Sequence, residues 1–203
     1  MATMNTPAYY DSVPAILMMD PLARTLGSAE DGLIEYRYLD AVKLTGHSCP
    51  TVAGAWQLTR AALARLYPDS TPVRSHIRVE FRQPLDEGVV GVIASVVSLV
   101  TGAANAGGFK GLAGHFGRKD LLQFEVPMRG DIRLTRLDSG QSVEFMRRGH
   151  SVPSPANMSQ LLRPALEPQA SDAERQAFAT VWSGWVEQTL QPTSAPDWVE
   201  LEA

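Results

Sequence analysis

Hydrophobic positions between residues 50 and 66 recur at helical spacing. Val52, Trp56, Thr59, Leu63 and Leu66 share one face, and Gln57, Arg60 and Arg65 hold polar positions elsewhere. Pro50 suits the first turn of that helix, because proline has no N–H to leave unpaired and its φ is already helical. Pro68 and Asp69 stop the helix. Gly54 inside the run costs roughly 1 kcal/mol against alanine and lets another backbone approach near the amino end. At 75–82 the period changes to two. Ile77, Val79 and Phe81 alternate there with His76, Arg78, Glu80 and Arg82, which predicts a half-buried strand. The run from Asp86 to Val100 is ambiguous, since Val89, Val90, Val92, Ile93, Val96 and Val97 favour a strand by propensity. Its acidic start, its length and Gly102 just past its end favour a buried helix, which is the reading adopted.

The flanking stretches are read in the same way. Residues 1–11 are polar and read as loose. Ser12 caps a predicted helix through Ile16, Leu17 and Met18, interrupted at Asp20-Pro21 and resumed through Leu22, Leu26 and Gly27. Leu33 to Leu39 alternates imperfectly and fits a strand or a partly helical approach. Leu121, Leu122, Phe124 and Val126 predict a strand. Ile132 and Leu134 begin another, which returns as Ser142–Arg147 across a turn at Asp138-Ser139-Gly140. Ser171 and Glu174 form a capping box for a helix with Phe178, Val181, Trp182, Trp185 and Val186 on its apolar face. Residues 191–203 read as an arm, with Trp198 packed on this chain or on a partner.

Composition narrows the class. A chain of 203 residues builds one substantial core, so one domain with extensions is expected. A net charge of −4 without a long basic block argues against nucleic acid or an anionic membrane as partner. The uncharged run 88–109 is long enough to raise the membrane question, but its glycines and serines make it only weakly hydrophobic past Val100. The amino end lacks the basic start and apolar core of a signal peptide, which fits a cytoplasmic address.

The chemistry concentrates in Gly46-His47-Ser48-Cys49-Pro50, which holds the only cysteine. One cysteine excludes an intrachain disulfide, a four-cysteine zinc site and an iron–sulfur cluster ligated by this chain alone. With Pro50 opening the helix, Cys49 falls at the N-cap, where free N–H groups and the helix dipole favour an anion by about 1 kcal/mol. A thiol in such a place ionises more readily, and the thiolate attacks electrophiles or binds a soft metal. The bland alternative is a small buried hydrophobe. A second region, from Gly102 to Gly117, is crowded with glycines at 107, 108, 111 and 114 as well, and contains His115. Such a loop lets N–H groups converge on a ligand, with Gly107, Gly108 and Lys110 as candidate cofactor contacts, or simply turns tightly. It does not match the phosphate-loop pattern. Asp40, Lys43 and His76 read as surface groups.

Taken together, Gly46–Gly54, Ile77-Arg78-Val79, Gly91-Val92-Ile93-Ala94, Thr101-Gly102-Ala103, and Gly107-Gly108-Phe109 with Arg118–Leu122 resemble the family named for the E subunit of formylmethanofuran dehydrogenase over residues 33–150. The resemblance implies an α+β core domain, a homodimer and a cleft containing His47 and Cys49. Many relatives add a carboxy-terminal zinc finger, which this chain cannot have, since no cysteine follows Cys49. Where some relatives carry a further cysteine in the glycine-rich region, the nearest comparable donor here is His115. The family name does not bring the dehydrogenase reaction with it, because that chemistry belongs to other subunits. The expected architecture is a single α+β core with a mixed or antiparallel sheet packed by helices. Residues 1–32 would form an N-terminal helical extension, 33–150 the core, and 151–203 a C-terminal helix and arm.

Three functions follow as expectations. The first is a metal- or metal-cofactor-binding protein with His47, Cys49 and His115 as ligands, and zinc, or else copper or iron, as the metal. The second is a metal-free cysteine enzyme, with Cys49 as nucleophile and His47 or His115 as base, acting on a small-molecule ligand. The third is a non-catalytic dimeric interaction module in which Cys49 only packs.

Overall fold

The computed structural model of the chain describes residues 5–191 and 197–202. A 3-10 turn at Ala8–Ser12 leads into strand β1 (Ile16–Met19), helix α1 (Pro21–Thr25) and strand β2 (Leu33–Tyr36). β1 and β2 pair antiparallel, with Ile16 opposite Tyr36 and Met19 opposite Leu33. The helix expected through Ile16, Leu17 and Met18 is therefore a strand. Ile16 and Met18 are buried while Leu17 is 45% exposed, and this alternation is what a strand satisfies. Asp20 then caps α1, its Oδ1 accepting from the N–H groups of Leu22 at 3.0 Å and Ala23 at 3.1 Å. Residues 1–32 are thus no separate helical extension, because β1 is stitched to β2 across that boundary. The loose amino end expected at 1–11 includes residues 1–4, which lie outside the described residues, whereas residues 8–12 form the 3-10 turn and bury Tyr10.

Helices α2 (Tyr38–Thr45) and α3 (Pro50–Leu66) follow, then strand β3 (Ile77–Phe81) and helix α4 (Val90–Thr101). The ambiguous valine run is a helix, closed by Gly102 in the left-handed conformation at φ 74°. Beyond the glycine-rich stretch come β4 (Leu122–Gln123), the hairpin β5 (Ile132–Arg136) and β6 (Ser142–Arg147), helices α5 (Met158–Ala165) and α6 (Asp172–Leu190), and β7 (Trp198–Glu200). The larger sheet has the order β4-β3-β5-β6-β7. β4 runs parallel to β3 and the other pairs are antiparallel. The chain is a single α+β domain with a mixed sheet and a smaller antiparallel one.

One face of the large sheet is apolar, with Ile77, Val79, Phe81, Ile132, Leu134, Val143 and Phe145 all in the core. α3 lies against β5 and β6, and α4 packs beside α3. Trp56, Tyr38, Leu58, Leu66 and Val96 fill the space between them. The opposite face carries a charge ladder, with Glu80 paired to Arg133 and Arg133 to Glu144. Burial pushes the Glu80 carboxyl up. The Arg133 fork, at 2.9 and 3.0 Å, and the nearby Arg78 more than offset this and hold it below the usual carboxylate range.

α6 runs alongside α3 in the same direction, since Trp182 Nε1 donates to Ser48 O and Gln57 Nε2 to Leu190 O. The arm returns as β7 beside β6, with Trp198 opposite Arg147 and 6% exposed, so its aromatic packs on this chain. The rest of the expected arm, residues 192–196 and 203, lies outside the described residues. Among the described residues, no helix is long and apolar enough to cross a membrane.

The two ends of α3 differ in what they meet. The helix has 17 residues and spans about 25 Å. At its carboxyl end Arg136 Nη1 donates to Leu66 O, and Ser75 N, just before β3, donates to Thr101 O at the end of α4. At its amino half Asp197 lies against Gly54. The next residue, Trp198, lines a cavity of about 460 Å³ with Val89, Val90 and Ile93 at the start of α4. α3 and α4 therefore run side by side in one direction. The glycine-rich stretch leaves from their carboxyl ends, and Cys49 sits at the amino end of α3.

Candidate functional site at the Cys49 corner

α2 ends at Gly46, whose φ of 74° turns the chain while its N–H bonds Val42 O. Three residues then span the gap to α3. Cys49 is extended (φ −148°, ψ 166°) and is the N-cap, its Sγ accepting the Val52 N–H at 3.5 Å. Pro50 occupies the first helical position, as its ring favours. The sulfur thus meets one of the helix's orphan donors directly. Cys49 is half-buried and packs against the core.

His47 is exposed, and its Nδ1 lies 2.9 Å from Thr45 O. A carbonyl oxygen only accepts, so Nδ1 carries the hydrogen in that bond and Nε2 of the neutral ring keeps its lone pair. Ser48, between the two, is clamped from both sides. Its Oγ lies 2.7 Å from the Tyr38 hydroxyl, and its carbonyl accepts from Trp182 Nε1 at 2.8 Å. Burial drives the Tyr38 phenol far above its usual range, so it stays a neutral hydrogen-bonding group there. An edge-to-face chain from Tyr9 through Tyr10 and Tyr38 to Trp56, with centroids 4.9, 5.2 and 6.1 Å apart, supports this side of the corner.

The other residues singled out by sequence lie elsewhere. His115 is exposed in a tight turn closed by mutual backbone bonds with Leu112, its ring against Phe116. Phe116 and Gly117 line a shallow cavity with Ser75, His76, Leu137 and Asp138, at the carboxyl end of α3 and away from Cys49. Among the described residues, no three His, Cys, Asp or Glu side chains are grouped to hold a metal ion. The structure brings His47 and Cys49 into one corner and does not bring His115 to it. Gly107 and Lys110 are exposed, and Gly107 N bonds the Asn105 side chain at 3.0 Å. Gly108 has a packing role, because a Cβ there would lie 2.6 Å from Ala104 Cβ and 2.9 Å from Lys119 Cα.

The loop is anchored by charge. Arg118 Nη2 and Arg74 Nη1 both reach Asp20 Oδ2, at 2.7 and 3.1 Å, and Arg74 also donates to Val100 O and Leu99 O at the end of α4. Burial pushes the Asp20 carboxyl up, but the Ala23 N–H and the two guanidinium groups win and hold it below the usual range.

Sequence reasoning missed one group near the corner. His150 Nδ1 lies 3.3 Å from Asp197 Oδ2, and Asp197 Oδ1 accepts from Ser151 N at 2.6 Å and Ser151 Oγ at 2.8 Å. The only signal in the sequence was Gly54, which makes room for that carboxylate. A Cβ at 54 would stand 2.8 Å from Asp197 Oδ2, so a side chain, not a backbone, makes the close approach. No family model matches the chain, and no curated protein matches it.

Proposed function

We propose that the Gly46–Pro50 corner is a metal- or metal-cofactor-binding site in which Cys49 Sγ and His47 Nε2 are the donors from this chain. The observation that carries this is the tautomer of His47. Its Nδ1 hydrogen is committed to Thr45 O, which leaves the lone pair on Nε2 of an exposed residue, the arrangement that ligating histidines adopt. Cys49 adds a soft sulfur at a helix N-terminus. Thiolate plus imidazole suits zinc first, with copper or iron as alternatives. The fit is that of two donors. With His115 placed by the far end of α3, the remaining positions fall to a cofactor, a substrate or a second copy of the chain. The resemblance to the family of the formylmethanofuran dehydrogenase E subunit, which implies a homodimer and a cleft at this corner, supports the same reading. A bound metal would supply Lewis acidity, and the chain's own part is to hold it through one sulfur and one imidazole.

Metal analysis of untagged protein tests this. Near-stoichiometric metal that is lost in Cys49→Ser and reduced in His47→Ala is the expected result. Metal-free wild type with an intact fold contradicts it.

A second reading is favoured by the Val52 N–H on the sulfur, which also stabilises a free thiolate. Here Cys49 is a metal-free nucleophile, His47 its base and the first-turn N–H groups an oxyanion site. Iodoacetamide separates the two. A metal site protects Cys49 until a chelator is added, whereas a free nucleophile alkylates at one rate in either condition.

A further inference from the structure

Asp197 is only 6% exposed, and among the described residues its single ion-pair partner is His150, with no arginine or lysine on it. A buried carboxylate without a permanent cation is costly, and a carboxylate on one imidazole nitrogen orients the ring so that the other can take a proton. Two segments, residues 150–151 and α3, converge to hold this one. Ser151 saturates Oδ1 with two hydrogen bonds, Gly54 of α3 vacates the space beside Oδ2, and the His150 imidazole covers Oδ2. An ionised carboxylate accepts only, so Nδ1 carries the hydrogen in that contact and Nε2 is left as the free basic nitrogen. The 3.3 Å separation is long, as such contacts often are without a ligand.

The dyad is connected to the Cys49 corner. The His150 ring meets Trp185 edge-on at 5.7 Å, and Trp185 meets Trp182 edge-on at 5.6 Å. Trp182 Nε1 in turn holds Ser48 O, next to Cys49. Both indoles are only partly buried, although α6 packs along α3 at this point. The two partly buried indoles therefore lie between the Ser48–Cys49 turn and His150.

We propose that His150 and Asp197 are a proton-accepting dyad for an aromatic ligand bearing an O–H or S–H, laid across Trp182 and Trp185 beside Cys49. The ligand's O–H or S–H bond breaks, its electron pair stays on the ligand, and the proton passes to His150 Nε2. Asp197 remains ionised and balances the imidazolium. His150 touches the ligand, and Asp197 is a positioning residue. The ligand's location rests on the Cys49 corner being the functional site, but the His150–Asp197 contact does not.

Carbethoxylation with diethyl pyrocarbonate at alkaline pH, followed at each histidine by peptide mass, tests the dyad directly, because the rings are then unprotonated and the rate follows ring nucleophilicity. His150 is expected to react several-fold faster than His76 and His115, although all three are exposed. Asp197→Asn should abolish that advantage. Ser151→Ala, which removes only a bond to Oδ1, should retain most of it. A His150 no faster than the other two in the wild type overturns the proposal without recourse to any variant, as does an unchanged rate in Asp197→Asn. Millimolar phenol, as the probe ring with an O–H, should protect His150 alone and fail to do so in Trp185→Ala. Lack of protection overturns the ligand assignment. The His150 rate is read on chelator-treated protein, so these outcomes are separable from failure of metal binding at the corner.

Discussion

Alanine normally gains about 1 kcal/mol over glycine inside a helix, yet residue 54 cannot take that gain. The new Cβ would stand 2.8 Å from the Asp197 carboxylate. Gly54→Ala should therefore lower stability, by about 1–2 kcal/mol, in urea unfolding followed by fluorescence, and it should slow carbethoxylation of His150. A stabilised variant with an unchanged His150 rate would refute this explanation of the notch. Asp20 holds two guanidinium groups at once, those of Arg74 and Arg118. Its folded carboxyl is held below the ordinary value of 3.8, so its contribution is present above that value and is lost as pH falls through the lower folded one. Asp20→Asn leaves Arg74 and Arg118 without their shared partner and should cost about 3 kcal/mol at pH 7. As pH falls below the ordinary value of 3.8 the wild type should lose stability more steeply than the variant. Parallel curves would remove Asp20 from the acid response. The Cys49–Pro50 pair was readable because its logic is local, with a ring that favours one position and a thiol that falls beside it. Asp197 and His150 were not readable, since their partners lie far along the chain and leave no periodic trace.

At the scale of elements, periodicity was a good guide wherever the run was long. The helix after Cys49 ends at Leu66 as its pattern implies, and the alternation at 77–81 forms β3. The capping box at Ser171 opens α6, with Ser171 Oγ accepting from Glu174 N. Ile16–Met19 went to a strand because four apolar residues fit either period, and pairing with β2 decided between them. The loop at 102–119 shows the same limit in another form. Its glycines were plain in the sequence, but their use was not. Gly108 admits the Lys119 backbone, and Gly111 admits His115 O, which would lie 2.5 Å from a Cβ. Gly108→Ala should cost about 1–3 kcal/mol in thermal or urea unfolding while leaving the metal content of the protein unchanged. Loss of metal with full stability would instead return Gly107, Gly108 and Lys110 to the role of cofactor contacts.

Across the whole molecule, the arrangement of α3 and α4 decides which residues can cooperate. Both helices run the same way over the sheet, so chemistry at the amino end of α3 draws on α6, on residues 150–151 and on Asp197. His115, at the carboxyl end, serves the other pole. The α+β class was within reach of the pattern, whereas this polarity was not, because it depends on crossovers that no local sequence window records. The proposal on which the functional reading rests is that Cys49 and His47 hold a metal at that amino end. X-ray absorption at the edge of the metal bound to untagged protein examines those donors without an intermediary. A first shell with one sulfur and at least one imidazole nitrogen is expected, with loss of the sulfur in Cys49→Ser. A wild-type shell of nitrogen and oxygen alone, or one that Cys49→Ser leaves unaltered, would overturn the assignment.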